Sequence, residues 1–342
     1  MRCCVRHGRK VSRGQACEAH RCRDLNDYAQ HKKIARAIKE RASIAELINV
    51  PDCHYFVPSS RTTWFDNQQG LIHAATASKS CKLPTAALVA ERVHPLPQVT
   101  RNVLIEKYCA PHLKERAYAA PGNKHCLARV YLGSMEGRKR MFFNLQNFKL
   151  HYNQLVELGL DVDTLARRMG CALAVMHWAA KIDAQDVELV LGSSTRKTTA
   201  PDVDLQKLQP MSYNGPETDL DYDLTGVFRC RLTGFWLIDF DRVRDIKMDE
   251  TEVAMAVQAF WLNDPYYSRP LKESEVESGL WETFVQSHLR TFDEIWKEKG
   301  VGKEIRGLPN KFILGVVEQG EIRLARQTQL RVSEQEEMEI AI

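Results

Sequence analysis

Residues 235–241 read FWLIDFD, an apolar run that ends on two aspartates bracketing a phenylalanine. A short run of this kind, rich in aromatic and branched side chains, fits a strand covered on both faces. It is expected to deliver Asp239 and Asp241 at its C-terminal end, where a carboxylate either caps a turn or holds a ligand. What precedes the run narrows the choice. Leu165, Met169, Leu173 and Met176 recur at helical spacing after Asp163, giving a buried helix through about Trp178. Next come a short loop with Asp183 and a second apolar segment, DVELVLG at 186–192.

The rest of the chain supplies the frame. From Asp24, read as a helix N-cap, Leu25, Tyr28, Ile34, Ile38 and Leu47 form an apolar stripe that Pro51 ends. Residues 59–84 are small and polar, and read as a loop. AALVAERV (86–93) reads as a buried strand closed by HPLP, and CLARVYLG (126–133) with RMFFNLQNF (140–148) as a hairpin. Residues 193–226 form a long loop, after which VFRCRL is expected to pair with FWLIDF across Thr233 and Gly234. Helices follow over 250–262 and 279–298, with a charged, frayed tail beyond 325. The expected class is α+β, with a mostly helical second half.

Composition excludes more than it identifies. The 342 residues carry a net charge of +4 with the basic residues scattered, which gives no footprint for nucleic acid. No apolar stretch approaches the roughly 18 residues of a membrane span, and no secretory signal follows MRCCVRHGRKVSRG. Ten cysteines without export are expected to stay reduced, in cytoplasm or nucleus.

The order helix, loop aspartate, strand, strand ending on aspartate is that of protein kinases and aminoglycoside phosphotransferases. There one aspartate orients the acceptor hydroxyl and a second binds the magnesium that bridges nucleotide phosphates. In this layout Asp183 takes the catalytic place and Asp239 the metal place. Glu188 stands where a kinase has asparagine, with Asp186 close by, and either carboxylate can ligate magnesium. Glu91, Arg92 and Val93 occupy the segment between lobes, where backbone groups would meet an adenine. The implied cofactors are ATP and magnesium. Against catalysis, no glycine-rich phosphate loop and no Val-Ala-Ile-Lys strand precede the first helix. Lys181-Ile182-Asp183 replaces His-Arg-Asp, and Asp241 replaces the glycine of Asp-Phe-Gly.

At the start, Cys4 and His7, then Cys17 and His20, form two ligand pairs nine residues apart, with Cys3 and Cys22 as alternates. Zinc needs four such donors in a tetrahedron. The spacer is tighter than that of a finger, and no apolar residues stand ready for a finger core, so zinc is disfavoured. Nucleic-acid binding through such a module is the minor reading.

ALVAERVHPLP, KHCLARVYLG, ALAVMHWAAKIDAQDVELVLGSS, FWLIDFD and AFWLNDPYYSRP occur here in the order seen in a fungal family, which the chain resembles over about residues 24–300. The family is domain of unknown function 3669, its members often labelled zinc finger protein. Some members are encoded beside secondary-metabolite genes, which implies an accessory role there. The chain departs from the family at its start, where other members carry a glycine-bearing stretch. That implies an incomplete N-terminal lobe or an altered gene model.

The expected architecture is thus a protein-kinase-like bilobal fold. Residues 1–23 form an atypical Cys/His-rich basic start, 24–97 a reduced N-terminal lobe, 98–324 a mainly helical C-terminal lobe, and 325–342 a charged tail. The expected function is that of a pseudoenzyme or regulatory binding protein with an unidentified protein or small-molecule partner. An ATP- and magnesium-dependent phosphotransferase is the alternative.

Overall fold

A computed structural model describes residues 15–45, 47–68, 86–137, 142–193, 233–271, 274–299 and 305–340. Cys4 and His7 lie outside them, as does VFRCRL. The chain mixes helices with two small sheets and is α+β.

The first helix, α1, runs over Gln15–Lys39, so Asp24 lies inside it rather than capping it. Cys17 and His20 are helical positions of α1. A short α2 (Ala42–Ala45) follows, and Ile34, Ile38, Ile44 and Ile48 from this region enter the main core. Strand β1 (Cys53–Val57) and strand β2 (Ala87–Ala90) pair antiparallel. The segment read as a loop holds a turn and a half of helix, α3 (Thr62–Asn67). Phe65 of α3 joins Val57, Ala87 and Val89 in a small core of its own, with Trp64 packed against it.

Helices α4 (Gln98–Tyr108) and α5 (Lys114–Ala119) lead into the larger sheet. Its strand order is β4-β3-β5-β6, with β3 at Ala128–Tyr131, β4 at Phe148–His151, β5 at Glu188–Ser193 and β6 at Thr233–Ile238. The expected hairpin at 126–148 is not formed. β3 and β4 run parallel, Ala128 opposite Phe148, and the antiparallel neighbour of β3 is β5. Parallel strands need a crossover of about a dozen residues or more, and residues 132–147 supply one, which a two-strand reading of the segment overlooked.

Thr233 and Gly234 are likewise strand residues, not a turn, because β6 pairs along its length with β5, from Glu188 opposite Ile238 to Ser193 opposite Thr233. Glycines sit across from each other at 192 and 234, and a side chain at 192 would press to 2.7 Å from Val93. The apparent turn signal at 234 marks a crowded strand position instead, where a Cβ would press on the Trp236 and Asn49 side chains.

A short α6 (Tyr152–Glu157) leads to α7, Val162–Ala174, which is capped by Asp161, one turn earlier than its apolar pattern suggests. The Asp161 carboxylate accepts the Thr164 N–H at 2.9 Å. The helix ends in a π-turn over Val175–Ala179. Its last residues are fully buried against α9 (Glu275–Lys299), which Gly170 lets come close: a Cβ there would lie 2.4 Å from the Phe284 carbonyl oxygen. Helix α8 (Glu250–Leu262) is capped by Asp249. The charged tail is not frayed but helical, since α10 spans Leu308–Ile340. Glu, Gln, Arg and Leu carry high helix propensity without a stripe. Among the described residues no helix is long and apolar enough to cross a membrane.

Candidate functional site

Three segments converge beside the small sheet. On α1, Asp27 and His31 are one turn apart and both buried, and the His31 Nε2 lies 2.6 Å from the Pro51 carbonyl oxygen. β2 runs into Glu91, Arg92 and Val93, and β6 runs out into Asp239 and Phe240. Together they enclose a cavity of about 250 Å³ whose walls are mostly apolar, with Ala87, Leu88, Val93, Ile238 and Phe240 among them. The structure therefore brings the linker residues Glu91, Arg92 and Val93 to the same cavity as Asp239.

The linker is held from both sides. The Glu91 N–H donates to the Asp52 carbonyl at 2.7 Å, and the Glu91 carboxylate accepts the Asp52 N–H at 3.0 Å. Arg92 reaches His125, 3.2 Å from its Nδ1. Beyond it, Ser193 N–H donates to the His94 carbonyl, and the Ser193 hydroxyl to that of Pro95. The linker is thereby stitched to the end of β5.

Asp239 takes a left-handed backbone, φ 70°. This conformation costs a residue with a side chain about 1–2 kcal/mol, and it turns the chain from the strand into the segment 240–245. That segment is caught by α1. Asn26 Nδ2 donates to the carbonyls of Asp241 (3.1 Å) and Val243 (2.9 Å), and Lys33 pairs with Asp245. Phe240 packs against the His31 ring at 4.9 Å between centroids.

Asp183 occupies a different environment. Its side chain has no exposure. One carboxylate oxygen accepts the backbone N–H groups of Gln185 (3.0 Å) and Arg244 (2.9 Å), and the other accepts Arg244 Nε at 2.6 Å. The backbone joins in, with Asp183 N–H on the Arg244 carbonyl and Ile246 N–H on that of Lys181. Asp183 thus welds the loop before β5 to the loop after β6.

The loop 181–186 is strained, with positive φ at Lys181, Ala184 and Asp186. Asn263 clamps it, accepting the Asp186 N–H at 2.6 Å and donating to the Ala184 carbonyl at 2.9 Å. Asp186 itself leans toward Arg242, 3.3 Å away. Burial raises its carboxyl above the usual range; Arg242 opposes this, and the negative charges of Asp239, Asp241 and Asp264 add to it. Glu188 turns instead to Arg129, which also reaches Asp264 at 3.2 Å. Glu188 and Asp186 therefore hold different cations. Among the described residues no group of three or more His, Cys, Asp or Glu side chains is placed to hold a metal ion.

Sequence reasoning missed Asp27, His31, Arg244 and Asn263 as parts of this region. None of the four carries a local signature. Arg269 donates to the Phe260 carbonyl at 2.9 Å and lies over the rings of Phe260 and Trp261.

A family model, domain of unknown function 3669, described as a zinc finger protein, matches residues 235–300. The matched segment starts at β6 and contains no cysteine and a single histidine, His288, which is fully buried. No curated protein and no solved structure matches the chain.

Proposed function

We propose that the chain is a binding pseudoenzyme of kinase-like layout, whose retained property is to hold a purine-sized aromatic ligand in the cavity between the linker and Asp239. The observation that carries this reading is the division of roles between the two aspartates. Asp239 borders the cavity that Glu91, Arg92 and Val93 share, whereas the carboxylate of Asp183 is spent on Gln185 and Arg244. A base that must accept an acceptor's proton needs a lone pair within reach of it, and Asp183 offers neither exposure nor an idle oxygen.

The size of the cavity agrees. At about 250 Å³ it falls below the roughly 300–1,000 Å³ typical of sites for drug-sized ligands, so a ring system fits where a whole nucleotide would extend out past Asp239. The small β1–β2 sheet over it takes the place of a reduced N-terminal lobe. An accessory role in the synthesis of other molecules is compatible with a site that binds without transferring.

A phosphotransferase acting through ATP and magnesium is the second reading, favoured by the position of Asp239 on the cavity wall. It would use Asp239 with Asp186 or Glu188 as metal ligands and would require Arg244 to release Asp183. Thermal shift with adenosine, and with ATP with and without magnesium, separates the readings on the wild type and on Asp239→Asn. Binding without transfer predicts stabilisation by adenosine in both proteins. A magnesium-dependent shift lost in Asp239→Asn, together with ATP turnover, would move the assignment to the phosphotransferase. No shift with millimolar adenosine or ATP would end both.

A further inference from the structure

Glu91 also borders a second cavity, of about 460 Å³, between α1, the segment 48–53 and Trp236 of β6. Lys32, Arg36 and Lys39 line it at positions i, i+4 and i+7 of α1, the spacing that places side chains along one helix face. Across from them stand Asn49, whose amide gives one hydrogen to the Phe235 carbonyl at 3.1 Å and keeps the other, and Trp236. Trp236 is 3% exposed and its indole N–H has no acceptor. A side chain at residue 234 would press to 2.8 Å from that indole nitrogen and 3.0 Å from Asn49 Nδ2, so Gly234 keeps the space beside both donors open.

A buried N–H kept from water without a partner opposes folding, and native structures leave few of them. Here the residue that carries the unpartnered donor, Trp236, lines the same cavity as three cations. Two carboxylates share the lining, Asp52 and Glu91. Glu91 accepts the Asp52 N–H at 3.0 Å, and Arg36 spends its Nε on Glu40 at 2.7 Å, which leaves its terminal nitrogens. The balance is one net positive charge, with N–H donors on both sides of the space.

The geometry points to an anion site: a small phosphorylated molecule held between the Lys32–Arg36–Lys39 face and the N–H groups of Trp236 and Asn49. A phosphoryl group offers acceptor oxygens in several directions, so it can meet donors from opposite walls, and its charge suits the three cations as a neutral or cationic ligand would not. This site shares only Glu91 with the cavity proposed for the aromatic ligand, so either assignment can fail without the other.

Isothermal titration of the full chain with inorganic pyrophosphate at low salt tests it. Saturable binding is expected. Trp236→Phe deletes the N–H and keeps the ring, and should weaken binding about tenfold, the size of one hydrogen bond to a charged group. The double variant Lys32→Ala, Lys39→Ala, both exposed in α1, should abolish binding with the melting temperature and any adenosine response unchanged. Should Trp236→Phe fail to fold, the lysine variant decides alone: lost binding supports the site and retained binding overturns it. Absence of saturable heat from the wild type, or an affinity indifferent to these substitutions, overturns it as well.

Discussion

Replacing Asp183 with asparagine puts the weld between the two loops to the test, because the exchange keeps size and shape and removes only charge and one acceptor. An asparagine in this place does best by setting its oxygen where Oδ1 now takes the N–H groups of Gln185 and Arg244. Its amide nitrogen then replaces the oxygen that meets Arg244 Nε at 2.6 Å, donor against donor. Losing a hydrogen bond to a charged group costs about 1.5–3 kcal/mol, and burying an amide N–H₂ without an acceptor adds about 1–3 kcal/mol. The Arg244 side chain is 46% exposed, so it recovers part of the loss by turning to water. A net loss of roughly 3 kcal/mol remains, which at about 2–4 °C per kcal/mol for a chain of a few hundred residues lowers the melting temperature by roughly 6–12 °C. Differential scanning calorimetry measures it directly. Arg244→Met, which leaves both backbone bonds to Asp183 intact but strips the buried carboxylate of its cation, should cost at least as much. If Asp183→Asn melts within about a degree of the wild type, the carboxylate is not spent as the geometry indicates, and the case against a catalytic base at 183 loses its foundation.

Two further predictions concern the core. Gly170→Ala should destabilise by about 1–2 kcal/mol despite alanine's better helix propensity, because the clash is with a backbone oxygen of α9 that cannot swing away. Gly279→Ala in α9, where a Cβ meets nothing within 4 Å, should instead stabilise by about 0.5–1 kcal/mol; urea midpoints compare them, and equal signs would refute the packing argument. His177 and His288 are fully buried and held neutral, His177 well below its ordinary value by burial and then by His288, and His288 down to about 3 by burial. The Trp178 indole donates to His288 Nε2 at 2.9 Å, so protonation there breaks that bond. The unfolded chain takes up these protons near pH 6.5 and the folded chain does not, so stability is full above that pH. It falls by about 1.4 kcal/mol per pH unit per histidine below it, down to about 3 for His288. Urea midpoints between pH 7.5 and 5 should show a slope that His288→Phe halves, and an unchanged slope would refute the assignment.

Much of the fold was written in local pattern. The apolar stripe of α7, the buried segments that became β2, β5 and β6, and the helix at 250–262 were all legible, because burial leaves its period or its continuity in the residues themselves. Pairing was not. That β6 pairs with β5 depends on which apolar faces meet in space, and Thr233-Gly234 looks like a turn until Gly192 is seen opposite. The candidate site divides the same way. Asp183 and Asp239 were visible because each ends or precedes an apolar strand. Their surroundings were not, since Arg244, Asn263, Asn26 and His31 come from distant segments and act through one or two hydrogen bonds or a ring contact each. The role of Asp183 followed chiefly from Arg244, 61 residues away, with the Gln185 N–H as its one local partner.

Among the described residues the core of the small sheet is Val57, Phe65, Ala87 and Val89, and the cavity beside it is walled by β2 on one side and by Ile238 and Phe240 on the other. Ala87 belongs to the small cluster and Phe240 to the large one. Free energies of local opening follow the apolar contacts that must be broken. The wall formed by β2 is therefore the first part of this region to exchange its amide protons with solvent, while the wall formed by β6 keeps its own until the whole body opens. If the cavity holds a ligand as proposed, loosening of the small cluster beside β2 will set its residence time, rather than the core on which Asp239 stands.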